Sequence, residues 1–158
     1  MDLPPGLRSA VDAALAGVST DRLAGAAALL SSRYRGEVRD GRFHVDGEDA
    51  VLAYLAARLP ATYAATRRAM GYVAGMLPDF APVTLLDLGA GPGTASFAAA
   101  DCWPGLVSAT LCEGSAAMRR AAERLAGSDT LSRTIAVMDL AGRLPELAAH
   151  DLVVVAYV

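Results

Sequence analysis

The sequence contains no lysine: all fourteen of its basic residues are arginine. With the accompanying excess of alanine this points to a GC-rich coding bias, so arginine abundance by itself says little about partners. Cysteine is nearly as scarce. Cys102 and Cys112 lie ten residues apart with no histidine near them, a spacing that fits neither a zinc ligand set nor a disulfide framework. Two buried thiols in a reducing compartment are expected instead. The two histidines, His44 and His150, are isolated, which suits surface or capping roles rather than a catalytic base, and no Ser-His-Asp or Cys-His arrangement can be assembled. No apolar run reaches the ~18 residues that a membrane span requires. The start, MDLPPGLRSAVDAALAGV, carries Asp2 and Asp12 and lacks a basic segment followed by an apolar block, so no signal peptide is read and a cytoplasmic location is expected.

What is present is a globular composition, 54% hydrophobic and 20% charged, over 158 residues. That suffices for one domain with a core, or for a small region attached to an incomplete second one. Charge divides unevenly: residues 1–82 balance nine arginines against nine acids, and residues 83–158 set five against eight. Neither half is the basic surface that announces nucleic acid, and DNA is not expected as a partner.

The first half reads as helices. Leu7, Val11, Ala14, Leu15 and Val18 recur at helical spacing. A second helix is expected from a Ser19-Thr20-Asp21 cap through Leu23, Ala26, Ala27 and Leu30 to Gly36. After a polar stretch, a third begins near Glu48 with Val51, Leu52 and Leu55. Pro60 ends or kinks it, and can itself open the following helix ATYAATRRAMGYVAGML. The segment PDFAP, 78–82, marks a boundary between a helical region over 1–77 and a second unit over 83–158. There strands are expected at 83–87, 106–112, 133–138 and 151–158. They alternate with helices at 94–100 and 115–125 and a short helical connection near 144–149. Runs apolar on both faces predict a parallel sheet covered on both sides. DLVVVAYV reads as a cut edge, because a doubly wound sheet continues beyond its switch point, so the polypeptide is expected to be a piece of something longer.

The chemistry sits in LLDLGAGPGT. Gly89, Gly91 and Gly93 alternate with Ala90 and Pro92 between a strand and a helix, where glycine permits a tight turn and close approach of a ligand to the backbone. A dinucleotide fingerprint has a third glycine where this chain has Thr94. That position, and the acid Asp87 ahead of the loop, disfavour a nicotinamide-dependent oxidoreductase. Asp87 favours a ligand carrying positive charge, as S-adenosyl-L-methionine does. Glu113 ends the next strand, where a carboxylate can accept from both hydroxyls of a ribose. Asp139 follows the third strand, placed to accept from an adenine amino group with Met138 and Leu140 beside the ring.

LLDLGAGPGT, CEGS and VMDL at these intervals resemble the first three motifs of the Rossmann-like S-adenosylmethionine-dependent methyltransferases. RLPATYAATRRAM followed by PDFAPVTLLDLGAGPGTASFAAA resembles, more narrowly, the methyltransferase-like family associated with the mitochondrial small ribosomal subunit and its bacterial relatives. The similarity spans about 54–158. It implies a Rossmann-like α/β fold behind an α-helical N-terminal region, and S-adenosylmethionine as cofactor. Asp87 and Gly89 to Gly93 would surround the methionine moiety, with Glu113 on the ribose and Asp139 on adenine. It also implies the small ribosomal subunit or its RNA as partner, in rRNA methylation or in a non-catalytic assembly role. Two departures stand out. The fourth strand shows no Asn-Pro-Pro-aromatic motif, so independent activity of this stretch is not expected. Cys102 and Cys112 do not match the iron–sulfur cysteine cluster of longer members. Arginines beside aromatics suit RNA, as with Tyr63, Arg67 and Arg68, or Arg33, Arg35, Arg39 and Arg42; interleaved acids make a solvated face the plainer expectation. Trp103 is expected to pack under the loop between helix and strand.

Overall fold

The computed structural model describes residues 1–35, 45, 47–140, 142 and 146–157. Gly36, Arg39, Arg42 and His44 lie outside the described residues, as do positions 144 and 145 of the expected helical connection and the last residue, Val158.

Helix α1 spans Pro5–Leu15 and α2 Thr20–Arg35. Pro4 and Pro5 suit a helix start because proline lacks the N–H that a first turn leaves unpaired. Val18 lies beyond α1, which gives way at Ala16 to Gly17 at φ +76°. The expected Ser19 cap is present: its Oγ accepts from the Arg22 N–H at 3.3 Å. Helix α3, Glu48–Ala53, runs into a π-helical turn, Tyr54–Arg58, and then into α4, Leu59–Met76. Pro60 therefore sits in the first turn of α4.

Beyond it come β1 (Thr84–Leu88), α5 (Thr94–Cys102), β2 (Ser108–Glu113), α6 (Ala116–Leu125), β3 (Ser132–Val137) and β4 (Leu152–Val155). The four strands form one parallel sheet in the order β3-β2-β1-β4. The chain moves outward from β1 through β3, then crosses back to pair β4 with the other side of β1. That reversal is the switch point at which open α/β sheets bind ligands, beyond the carboxyl ends of the strands.

Alternation along the strands sends Leu85, Ala109, Leu111, Ile135, Leu152 and Val154 to one face, where they pack with residues of α1, α3, α4, α5 and α6. Leu7, Val51, Leu55 and Leu59 belong to this same cluster, so the N-terminal helices and the sheet share a core. On the opposite face Leu86, Cys112 and Met138 are covered by Leu140 and Leu147 of the β3–β4 crossover. Residues 146–150 of that crossover are irregular rather than helical. Val153 and Val155 of β4, on this same face, are 53% and 56% exposed. Asp151 fastens the crossover's end to β1, its Oδ2 accepting from the Val83 and Thr84 N–H groups at 3.0 and 2.9 Å. His150 ties the crossover to β2, its Nδ1 bonded to the Ala148 carbonyl and its Nε2 to the Thr110 hydroxyl. Trp103 is buried at the end of α5, edge-on to Phe80. Cys112 is buried and Cys102 half-buried, and neither forms a disulfide. Among the described residues, no single helix is long and apolar enough to cross a membrane.

Two residues weighed as RNA contacts, Tyr63 and Arg67, both bond to Asp101 of α5. Tyr63 is buried and donates its hydroxyl to Asp101 Oδ2 at 3.1 Å, while Arg67 Nε donates to the same oxygen at 2.7 Å. Both tie α4 to α5. The sequence pattern hides this, since the partner lies 38 residues away from Tyr63. Arg68 remains on the surface, bonded to the Tyr72 hydroxyl on the next turn. Arg35 folds back on the Ser31 carbonyl.

Candidate functional site

The glycine loop leaves β1 in a conformation that L side chains resist: Gly89, Gly91 and Gly93 have φ of 71°, 55° and 85°. Gly93 is also closely packed, since a Cβ there would come within 3.1 Å of Leu111. It caps α5, and its carbonyl accepts from Ser96 Oγ at 2.7 Å. Ser96 in turn accepts from Arg133, whose guanidinium lies 3.9 Å from the centre of the Phe97 ring and pairs with Asp129. The loop is therefore braced by α5 and β3 from behind.

Glu113 braces it from the front. One carboxylate oxygen accepts from the Gly91 N–H at 2.8 Å and the other from the Ser115 N–H at 2.7 Å. Ser115 then caps α6, and its hydroxyl donates to the Val45 carbonyl. The parallel register makes this arrangement possible, because β1 and β2 end side by side with Leu88 opposite Cys112.

These elements enclose a cavity of about 330 Å³, within the range of small-molecule sites. Of the residues expected from the sequence, Asp87, Gly89, Ala90, Gly91, Glu113, Met138, Asp139 and Leu140 line it. Pro92 and Gly93 do not; Pro92 is buried and Gly93 turns the chain into α5 behind the wall. Sequence reasoning did not single out Tyr54, Thr62, Thr66, Ser115, Met118 and Tyr157, which also contribute, or foresee that Thr94 would line the wall. Tyr54 was hidden because a π-helical turn has no simple sequence period. Thr62 and Thr66 share a helix face at i, i+4, a signal that a search for carboxylates passes over.

The electrostatics are one-sided. Asp87, Glu113 and Asp139 line the cavity, and no arginine stands among its described lining residues. Asp87 is 2% exposed, and its Oδ2 has no hydrogen-bond partner. Burial, and secondarily the Glu113 carboxylate, push its carboxyl up to about 7. A buried polar atom left unpaired costs about 1–3 kcal/mol, and more when charged. A buried group of this kind calls for a partner, whether a ligand, an ion or an ordered water. Burial also raises the Tyr54 phenol, an effect partly offset by the adjoining hydroxyls of Thr62 and Thr94. No group of side chains with the makings of a metal site occurs among the described residues.

Comparison with known proteins accords with this geometry. The model of the family described as mitochondrial small ribosomal subunit Rsm22 matches residues 48–158, from α3 through β4. A human relative, the ribosome assembly protein METTL17, mitochondrial, is 39% identical over 79 residues. That stretch is 49% of this chain and 17% of the relative, so the chain spans less than a fifth of that protein's length. Both descriptions are mitochondrial, which overturns the cytoplasmic location expected from the sequence. That expectation rested on a start unlike a secretory signal, a feature that speaks to export and not to an organelle. With the match covering well over half of its residues, the chain belongs to the family of mitochondrial small ribosomal subunit Rsm22.

Proposed function

We propose that this chain is the cofactor-holding part of an S-adenosylmethionine-binding, methyltransferase-like protein that works on the small ribosomal subunit, in rRNA methylation or ribosome assembly. The observation that carries the cofactor is the unpaired, buried Asp87 oxygen on the wall of a cavity with acidic residues and no arginine among its described lining. S-adenosylmethionine carries an ammonium and a sulfonium against one carboxylate, so it offers the positive charge that this wall lacks. A dinucleotide carries a pyrophosphate, which three carboxyl groups oppose. The Gly91 N–H, which a phosphate-binding loop would aim at its ligand, is occupied by Glu113 instead.

In this reading Asp87 and the loop from Gly89 to Gly93 surround the methionine end. Glu113 keeps lone pairs on both oxygens for ribose hydroxyls while holding Gly91 and Ser115. Met138 and Leu140 flank the adenine, and Asp139 accepts from its amino group. Bound there, the cofactor supplies a methyl group already activated by the sulfonium, so the protein's task is alignment and exclusion of water. The assembly role is favoured by the human relative, which is a ribosome assembly protein. Incubating the full-length protein with small-subunit RNA and methyl-labelled cofactor separates the two roles. Label in the RNA establishes the enzyme, whereas firm subunit binding without label establishes the assembly factor.

A further inference from the structure

One wall of the cavity comes from outside the sheet and its motifs. Tyr54 projects from the π-helical turn, and Thr62 and Thr66 from successive turns of α4, facing Thr94 at the start of α5. A π-helical turn carries more residues per turn than an α-helix, so it resets the face that the preceding helix presents and is found preferentially at functional sites. Here it brings the Tyr54 phenol to the hydroxyls of Thr62 and Thr94.

Two of these hydroxyls are buried without being satisfied. Thr66 is 8% exposed and Thr94 2%, yet neither Oγ1 has a well-formed hydrogen bond. A threonine inside a helix, as Thr66 is, can satisfy its hydroxyl by bonding back to a carbonyl on the preceding turn. Asp87 Oδ2 is the third unpaired atom around the same cavity. Hydroxyls can donate to an anion and Asp87 can accept from a cation, so the wall matches a group carrying both charges within a few ångströms.

We propose that Tyr54, Thr66 and Thr94, with Asp87, receive the zwitterionic amino-acid end of the cofactor. The three hydroxyls donate to its carboxylate, and Asp87 Oδ2 accepts from its ammonium. This rests on reading the cavity as the S-adenosylmethionine site, and it makes the helical region part of that site. The N-terminal helices are then a wall that the ligand touches as well as a support for the sheet.

The test is calorimetry on the whole chain with two ligands, S-adenosylhomocysteine and 5′-methylthioadenosine, which keeps the adenosine and thioether and lacks the amino acid. Thr66→Val and Thr94→Val replace an unpaired hydroxyl by a methyl of the same shape, and Tyr54→Phe removes only the phenolic oxygen. Thermal unfolding of each variant checks that it folds. Each is expected to weaken S-adenosylhomocysteine about 10-fold, the value of a charge-assisted hydrogen bond, while methylthioadenosine affinity stays unchanged. Equal losses for both ligands, or no loss for either, would overturn the assignment. A wild-type chain that binds neither ligand would instead sink the cofactor reading beneath it, and the assignment with it.

Discussion

Exchanging Asp87 for asparagine is expected to remove a pH-dependent weakness from the ligand-free protein. The carboxyl titrates at about 7 in the fold, against 3.8 for an ordinary aspartate. The folded state thus holds the proton more tightly than the unfolded state. The stability this group contributes is fully present below about pH 4 and declines as pH rises through about 7. The whole shift is about three pH units, and at ~1.36 kcal/mol per unit it caps the loss near 4 kcal/mol. Roughly two of those units fall between pH 5 and pH 8, so about 2–3 kcal/mol should vanish over that range, or about 5–10 °C in Tm for a domain of this size. Asparagine keeps the shape and an unpaired polar group without the titration. Thermal or urea unfolding of both proteins at pH 5, 6, 7 and 8 should show the variant gaining on the wild type step by step. A difference that stays constant with pH, or a wild type that gains as pH rises, would refute the burial argument. The same exchange should abolish the preference for a cationic ligand, a trade of stability against function common at binding sites.

Three further changes separate the site from its frame. Glu113→Gln places an amide where the Gly91 and Ser115 N–H groups need acceptors, so about 1.5–3 kcal/mol of stability should go, visible in the urea midpoint, together with adenosine affinity by calorimetry. Both quantities unchanged would mean that the carboxylate does not hold the loop. Gly6→Ala would drive a Cβ into the Ser128 carbonyl oxygen, inside van der Waals contact, where α1 meets the turn after α6. A loss of about 1–3 kcal/mol with ligand affinity untouched is expected, and a stable variant would show that α1 shifts freely. Tyr63→Phe should lower stability by about 1 kcal/mol and leave RNA binding alone, because the hydroxyl belongs to Asp101; weaker binding to small-subunit RNA would restore Tyr63 as a contact.

Much of the site was legible because a parallel sheet converts regular spacing into proximity. Asp87, Glu113 and Asp139 lie far apart in the chain, yet each falls in or just after one of three neighbouring strands, and the register of those strands gathers them. The glycine loop was legible for the same reason, since its residues act locally. What stayed hidden depends on long-range partners or on local geometry without a period. Tyr63 and Arg67 looked like surface groups until α5 brought Asp101 beside them. The π-helical turn that presents Tyr54 leaves no repeat in the sequence. Leu147 carries an apolar side chain where a helix was expected, and it covers Leu86 and Cys112 from an irregular crossover instead. Strand boundaries shifted by one to three residues, as at β3, where pairing with β2 begins at Ser132, and at β4, which ends at Val155.

Calorimetric titration of the chain with S-adenosylhomocysteine and, in parallel, with NAD decides whether the acidic cavity at the switch point is a site for S-adenosylmethionine. A single site for S-adenosylhomocysteine is expected, weakened in the Asp87→Asn and Glu113→Gln variants, with NAD bound at least about 100-fold more weakly, a difference of roughly 2.7 kcal/mol. Tighter binding of NAD, or no binding of S-adenosylhomocysteine to a folded chain, would contradict it.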